Sequence, residues 1–144
     1  MEYIKVVIVE DHPGVRAGIK KMLFHAKDIL VIAEGENGKD AIQLTRTHLP
    51  DVLLLDVELP VRRGDEVVSE IRQAHPKVKI LAVSSYLDRE YVQGMMEQGA
   101  SGYITKDEAP GLLVEAVRSI FLGDQTWISP RARKYAPPGS VETP

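Results

Sequence analysis

Five short apolar runs alternate with longer stretches in which hydrophobic residues return every three or four positions. The runs are YIKVVIV (3–9), ILVIAE (29–34), DVLLL (51–55), KILAVS (79–84) and ASGYIT (100–105). The first, third and fourth are almost continuous in Val, Ile and Leu, the pattern of parallel strands covered on both faces. The intervening stretches carry helical stripes: Val15, Ile19, Met22 and Leu23; Ala41, Ile42 and Leu44; Val67, Val68 and Ile71; Tyr91, Val92, Met95 and Met96. A fifth stripe, Leu113, Val117 and Ile120, has Pro110 near its first turn and Gly123 just past its end. These stripes read as core faces, and the methionines among them as gap-filling core residues.

Five strand–helix repeats predict an α/β fold, an open parallel sheet with right-handed crossovers and helices on both faces. The length of the repeat unit points to five strands in the flavodoxin-like order 2-1-3-4-5. In such sheets ligands sit beyond the carboxyl ends of the strands, where the order reverses between strands one and three. After Gly123 the periodicity decays. DQTWISPRARKY holds one Trp and a small basic cluster (Arg131, Arg133, Lys134), and APPGSVETP has no apolar pattern. The expected organisation is a domain over residues 1–124 and a linker or solvated tail over 125–144.

The strand ends carry the chemistry. The first run ends in Glu10-Asp11 and the third in Asp56. Each acid alone is equally a helix cap or a turn residue. Brought together at the switch point, like charges ~4 Å apart repel by roughly 4 kcal/mol at an effective dielectric near 20, so the trio calls for a cation or for raised pKa values. An oxygen-only donor set, with no Cys or His expected in a binding position, favours a hard ion, and Mg2+ first, because it binds through one or two carboxylates and keeps waters that a phosphate can replace. The fourth run ends in Ser84-Ser85, and the fifth is followed by Lys106, a point charge suited to phosphoryl oxygens.

Composition removes other chemistries. The 144 residues include no cysteine, which excludes disulfides and thiolate catalysis. No apolar run reaches the roughly 20 residues of a membrane helix, and the N-terminus has no secretory pattern, so a cytoplasmic location with no membrane partner is expected. A net charge of −3 offers no general attraction to nucleic acid.

With VIVEDH (7–12), LLLDVELP followed by Gly64, AVSS (82–85) and GYITKD (102–107), the chain resembles the receiver domains of bacterial two-component response regulators over about residues 3 to 123. Lys106-Asp107, and the later GDQTWISPRAR, resemble the NarL/FixJ (LuxR-type) subgroup. The resemblance implies a CheY-like fold with Asp56 as phosphoacceptor for a sensor histidine kinase. It implies Mg2+ held by Glu10, Asp11, Asp56 and the backbone carbonyl of Glu58. It also implies phosphoryl contacts from Ser84 and Lys106, and Tyr103 as the aromatic switch that fills space vacated by Ser84. Further implications are a homodimer on activation and control of transcription through a helix-turn-helix domain absent from this chain, so DNA is a partner only through that domain. Glu58 and Tyr86 flank the acceptor as candidates for tuning phosphoryl lifetime.

Two other readings compete. Asp56-Val57-Glu58 mimics the acid pair of Mg2+-dependent haloacid-dehalogenase phosphatases, which carry that pair on the first strand; here Glu10-Asp11 occupies strand one. A phosphorylation-independent receiver-like binding module is the other, opposed by every key position being filled. The receiver reading expects no turnover of an external substrate; the protein would assist only its own phosphorylation and dephosphorylation.

Overall fold

The computed structural model describes residues 2–123 and 125–139. The expected runs become β1 (Ile4–Val9), β2 (Ile29–Gly35), β3 (Val52–Asp56), β4 (Lys79–Ser84) and β5 (Gly102–Thr105). Between them lie α1 (Pro13–Phe24), α2 (Gly38–His48), α3 (Gly64–Ala74) and α4 (Arg89–Glu97), and α5 (Ala109–Leu122) follows β5. All strand pairs are parallel.

Side chains alternate across the sheet and feed two cores. Val7, Val9, Leu53, Leu55, Ile80, Ala82 and Tyr103 face α2, α3 and α4. Val6, Ile8, Val52, Leu54, Leu81, Val83 and Ile104 face α1 and α5. Because both faces are buried, β3 has no exposed residue and must be apolar throughout until Asp56. Two helix starts are fixed by side-chain caps, Asn37 accepting from the Asp40 N–H at 2.8 Å and Asp88 from the Tyr91 N–H at 3.0 Å.

The five-strand expectation is corrected to six. The sheet order is 2-1-3-4-5-6, and β6 (Trp127–Ile128) pairs parallel with β5, Tyr103 opposite Ile128. The Trp127 N–H donates to the Ser101 carbonyl at 3.0 Å and the Ser129 N–H to the Tyr103 carbonyl at 2.9 Å, satisfying the outer edge of β5. Ile128 and Ala132 are buried on the α4 side, and a 3-10 turn (Arg133–Tyr135) continues across that face. Within the stretch expected as a linker, Ile128, Ser129 and Ala132 are thus buried, while Pro130, Arg131, Arg133 and Lys134 are exposed. The basic cluster is partly engaged as well: Arg131 pairs with Asp107, and the Arg133 guanidinium donates to the Ile128 carbonyl. The end of the expected tail, 140–144, lies outside the described residues.

Candidate functional site

Strand register decides which side chains meet. Val9 lies opposite Leu55, Asp56 opposite Val83, and Ser84 opposite Thr105. Glu10, Asp56, Ser84 and Lys106 thus emerge at one level along the carboxyl edge of the sheet. Glu10 and Asp56 are 1% and 4% exposed, so both carboxyls are removed from water and need partners.

Lys106 supplies them. Its Nζ lies 2.6 Å from Glu10 Oε1 and 3.3 Å from Asp56 Oδ2. The loop that carries it is held in turn by the Lys106 N–H, which donates to the Ser84 carbonyl at 2.8 Å. The Glu58 N–H donates to Asp56 Oδ1 at 3.0 Å. On the far side, Glu10 Oε2 accepts from the His12 N–H at 3.1 Å, and Arg16 Nη1 donates to the Glu10 carbonyl at 2.7 Å. Arg16 also reaches Glu34 and Glu36 at 3.4 and 3.5 Å, tying α1 to the end of β2 behind the acid pair.

One cation between two buried acids divides their protonation. Burial pushes Asp56 up, the neighbouring Glu10 carboxylate adds to it, and the Glu58 N–H and Lys106 oppose, leaving Asp56 at about 7. Burial pushes Glu10 up too, but Lys106, the Asp56 carboxyl and the His12 N–H together bring it down to about 2. Burial would lower Lys106, yet the two carboxylates raise it above its ordinary value. Any proton the pair keeps near neutral pH therefore sits on Asp56, with Glu10 ionised, and a second positive charge is what would ionise both fully.

The site has room for that charge. Ligand atoms of Glu10, Asp11, His12 and Asp56 all lie within 4.8 Å of one another. Asp11 Oδ1 is withdrawn from solvent, with the His12 ring nitrogen 3.1 Å away. Three carboxyl groups with a single lysine against two of them are a donor set that fits a divalent cation. The sequence reading excluded His from this cluster; His12 belongs to it. Nothing in the spacing along the chain marks it, because the loop brings the ring to the acids by folding the His12 N–H onto Glu10 Oε2. Glu58 and Asp11 line one groove with His12, Leu59 and Gly64. Gly64 is required there, since a Cβ would stand 2.5 Å from the Val57 carbonyl oxygen. In the same loop Val61 has φ 76°, and the Arg62 N–H closes a tight turn on the Pro60 carbonyl at 2.9 Å, a conformation strained for a β-branched residue.

The remaining expected residues form the opposite rim. Ser84 is fully buried, and its Oγ accepts from the Tyr86 N–H at 2.9 Å. Tyr103 is fully buried as well, its hydroxyl donating to the Tyr86 carbonyl at 2.7 Å. The expected motion of Tyr103 into vacated space thus meets a ring that already lies inward. Burial raises the Tyr103 hydroxyl to about 12, so it remains a donor throughout the physiological range. The Tyr86 ring stacks on Tyr91 at 4.5 Å, and the Glu58 carboxylate beside its hydroxyl raises the Tyr86 pKa.

Comparison with known proteins agrees with this arrangement. The family model described as the response regulator receiver domain matches residues 6–118. The chain belongs to the response regulator receiver family. It is 37% identical over 120 residues to the transcriptional regulatory protein DegU of Brevibacillus brevis, covering 83% of this chain and 51% of that protein. It is also 37% identical over 122 residues to the oxygen regulatory protein NreC of Staphylococcus epidermidis, covering 84% of this chain and 56% of that one. Among solved structures, a LuxR-family response regulator from Aurantimonas sp. SI85-9A1 superposes with a TM-score of 0.88 at 30% identity, covering 93% of this chain and 95% of that chain. These relatives place the receiver in the NarL/FixJ (LuxR-type) subgroup. The chain spans about half the length of the curated relatives it matches.

Proposed function

We propose that this receiver accepts a phosphoryl group on Asp56 from a sensor histidine kinase, with Mg2+ bound at Glu10, Asp11, Asp56 and the Glu58 backbone carbonyl. The observation that carries the reading is Lys106 Nζ held between Asp56 and Glu10 at the carboxyl edge of the sheet. An Asp carboxylate is a competent nucleophile for phosphoryl transfer, and catalysis of that reaction is mainly positioning and charge neutralisation. When bound, the metal supplies positive charge to the acids and to the phosphoryl oxygens.

The chain's own residues do the rest. Asp56, once ionised, presents a carboxylate oxygen that is fixed by the Glu58 N–H. That oxygen forms the new P–O bond as the P–N bond of the phosphohistidine breaks, and the electron pair returns to the departing imidazole. Lys106 exchanges its contacts with Asp56 and Glu10 for a phosphoryl oxygen, and Ser84 donates its hydroxyl proton to another. Transfer adds about −1.5 to −2 charges within reach of both groups. Because Ser84 Oγ holds the Tyr86 N–H and Tyr103 holds the Tyr86 carbonyl, a pull on Ser84 loads the backbone of the same residue that the Tyr103 hydroxyl grips. The phosphoryl group then favours one of two packings of this rim, which is the switch. Downstream, we propose a homodimer on activation and control of transcription through a DNA-binding domain outside these residues, in the cytoplasm. No turnover of an external substrate is expected.

Beryllium fluoride, which adds to a carboxylate as a phosphoryl mimic, tests the site. With Mg2+ present, 19F NMR should show one protein-bound species that disappears in Asp56→Asn and in Asp11→Asn. A bound signal surviving in Asp56→Asn would place the acceptor elsewhere.

A further inference from the structure

Tyr103 is the largest fully buried side chain among the described residues, and its two neighbours across the sheet differ in size. On the β4 side it lies opposite Ala82, and on the β6 side opposite Ile128. All three belong to the core that faces α2, α3 and α4. The ring takes the roomier side: its hydroxyl reaches past the end of β4 to the Tyr86 carbonyl at 2.7 Å. The single methyl of Ala82 leaves space for that lean, and the buried, branched Ile128 fills the other flank. Without β6, β5 would be the edge strand and that flank would lie open.

The segment that carries Ile128 is also fastened to the residues that follow Lys106. Glu108 Oε2 accepts from the Arg131 N–H at 3.2 Å, while Oε1 accepts from the Thr105 hydroxyl at 2.7 Å. The Arg131 guanidinium pairs with Asp107. Three consecutive residues thus face two ways: Lys106 reaches Glu10 and Asp56, and Asp107 and Glu108 hold residue 131. The Asp107–Arg131 pair is exposed on both sides and weak by itself, so buried Ile128 is the firmer of the two attachments.

We propose that residues 127–131 are a positioning element of the phosphoryl site: Ile128 stops the Tyr103 ring in its inward packing, and Arg131, through Asp107 and Glu108, steadies the loop that carries Lys106. The inference rests on the receiver reading above, in which the phosphoryl group draws Ser84 and favours the inward ring. Docking of the segment and phosphoryl binding then favour the same packing, so each strengthens the other by the same factor.

Beryllium fluoride titrations of the intact chain with Mg2+, read by 19F NMR below the unfolding onset of each variant, test this together with amide hydrogen exchange. Ile128→Ala should weaken beryllium fluoride binding about five-fold or more, and Ile128→Val should keep the wild-type affinity. Arg131→Ala, an exposed change, should act in the same direction by a smaller factor. Leu23→Ala empties a buried position of the opposite core and should leave the affinity within about two-fold, which separates positioning from lost stability. In the wild type, beryllium fluoride should slow exchange of the Trp127 and Ser129 N–H groups, which bond the Ser101 and Tyr103 carbonyls. Unchanged or faster exchange there, or wild-type affinity in Ile128→Ala, overturns the inference and leaves the receiver reading standing. A loss in Leu23→Ala as large as that in Ile128→Ala also overturns it. A wild type that takes up no beryllium fluoride overturns both readings.

Discussion

Replacing Asp56 with Asn should stabilise the metal-free protein at pH 8 by ~2–4 kcal/mol and leave it unchanged near pH 4. Asp56 is 4% exposed and sits at about 7, against 3.8 for an ordinary aspartate. Below 3.8 the carboxyl is protonated in folded and unfolded chains alike, and the stabilisation due to the protonated, buried form is complete. As pH rises through about 7 the folded state loses that proton into a pocket already occupied by the Glu10 carboxylate, and the stabilisation goes with it. The gap between the two pKa values sets a ceiling of ~4 kcal/mol. Asparagine keeps the shape, can accept the Glu58 N–H and carries no charge. Glu10 works in the opposite sense, contributing stability above 4.5 that is lost as pH falls toward about 2. It keeps Lys106 in both proteins, so the difference between them isolates Asp56. Urea unfolding in EDTA at the two pH values measures the effect, and saturating Mg2+ should narrow the gap by binding the folded wild type. A variant that is less stable than wild type at pH 8 would contradict the electrostatics of the site.

Ile128→Ala should cost ~2–4 kcal/mol, the range for emptying a buried aliphatic position. Ile128 is 2% exposed, lies opposite Tyr103 in the β5–β6 pair, and belongs to the α4-side core that includes Ala132. Truncation would leave a cavity against the strand that presents Tyr103 and, beyond it, Lys106. A residue in a solvated linker would change stability by no more than ~0.5 kcal/mol. Lys134→Ala is the matched control: it is exposed, with the Tyr135 ring 5.1 Å from its ammonium, and should stay near that limit. Equilibrium unfolding of both variants decides whether residues 127–136 are part of the folded unit.

That contrast shows where the sequence was readable. β1, β3 and β4 are buried on both faces, so their near-continuous Val, Ile and Leu runs announced them without tertiary information. Once those strands were placed, the topology rule put Glu10, Asp56, Ser84 and Lys106 on one edge, and the register does so. β6 was illegible because two residues cannot show a period of two, and its strand character comes from pairing with β5. Its anchors, Ser129 and Ala132, are buried without being strongly apolar, so hydropathy says nothing of them. His12 was missed for a different reason. Ligand spacing along the chain reveals helix-borne pairs, but this ring reaches the acids because the loop folds its N–H onto Glu10 Oε2, a fact of geometry alone. The inward Tyr103 ring likewise depends on which carbonyl its hydroxyl finds.

We propose Asp56 as the phosphoacceptor of a cation-dependent receiver. Incubation with Mg2+ and a small acyl phosphate, followed by intact mass measurement, tests it most directly. A single phosphoryl addition to the wild type is expected, and none in EDTA or in Asp56→Asn. An unmodified wild type under those conditions, or an Asp56→Asn protein that still gains the group, would contradict it.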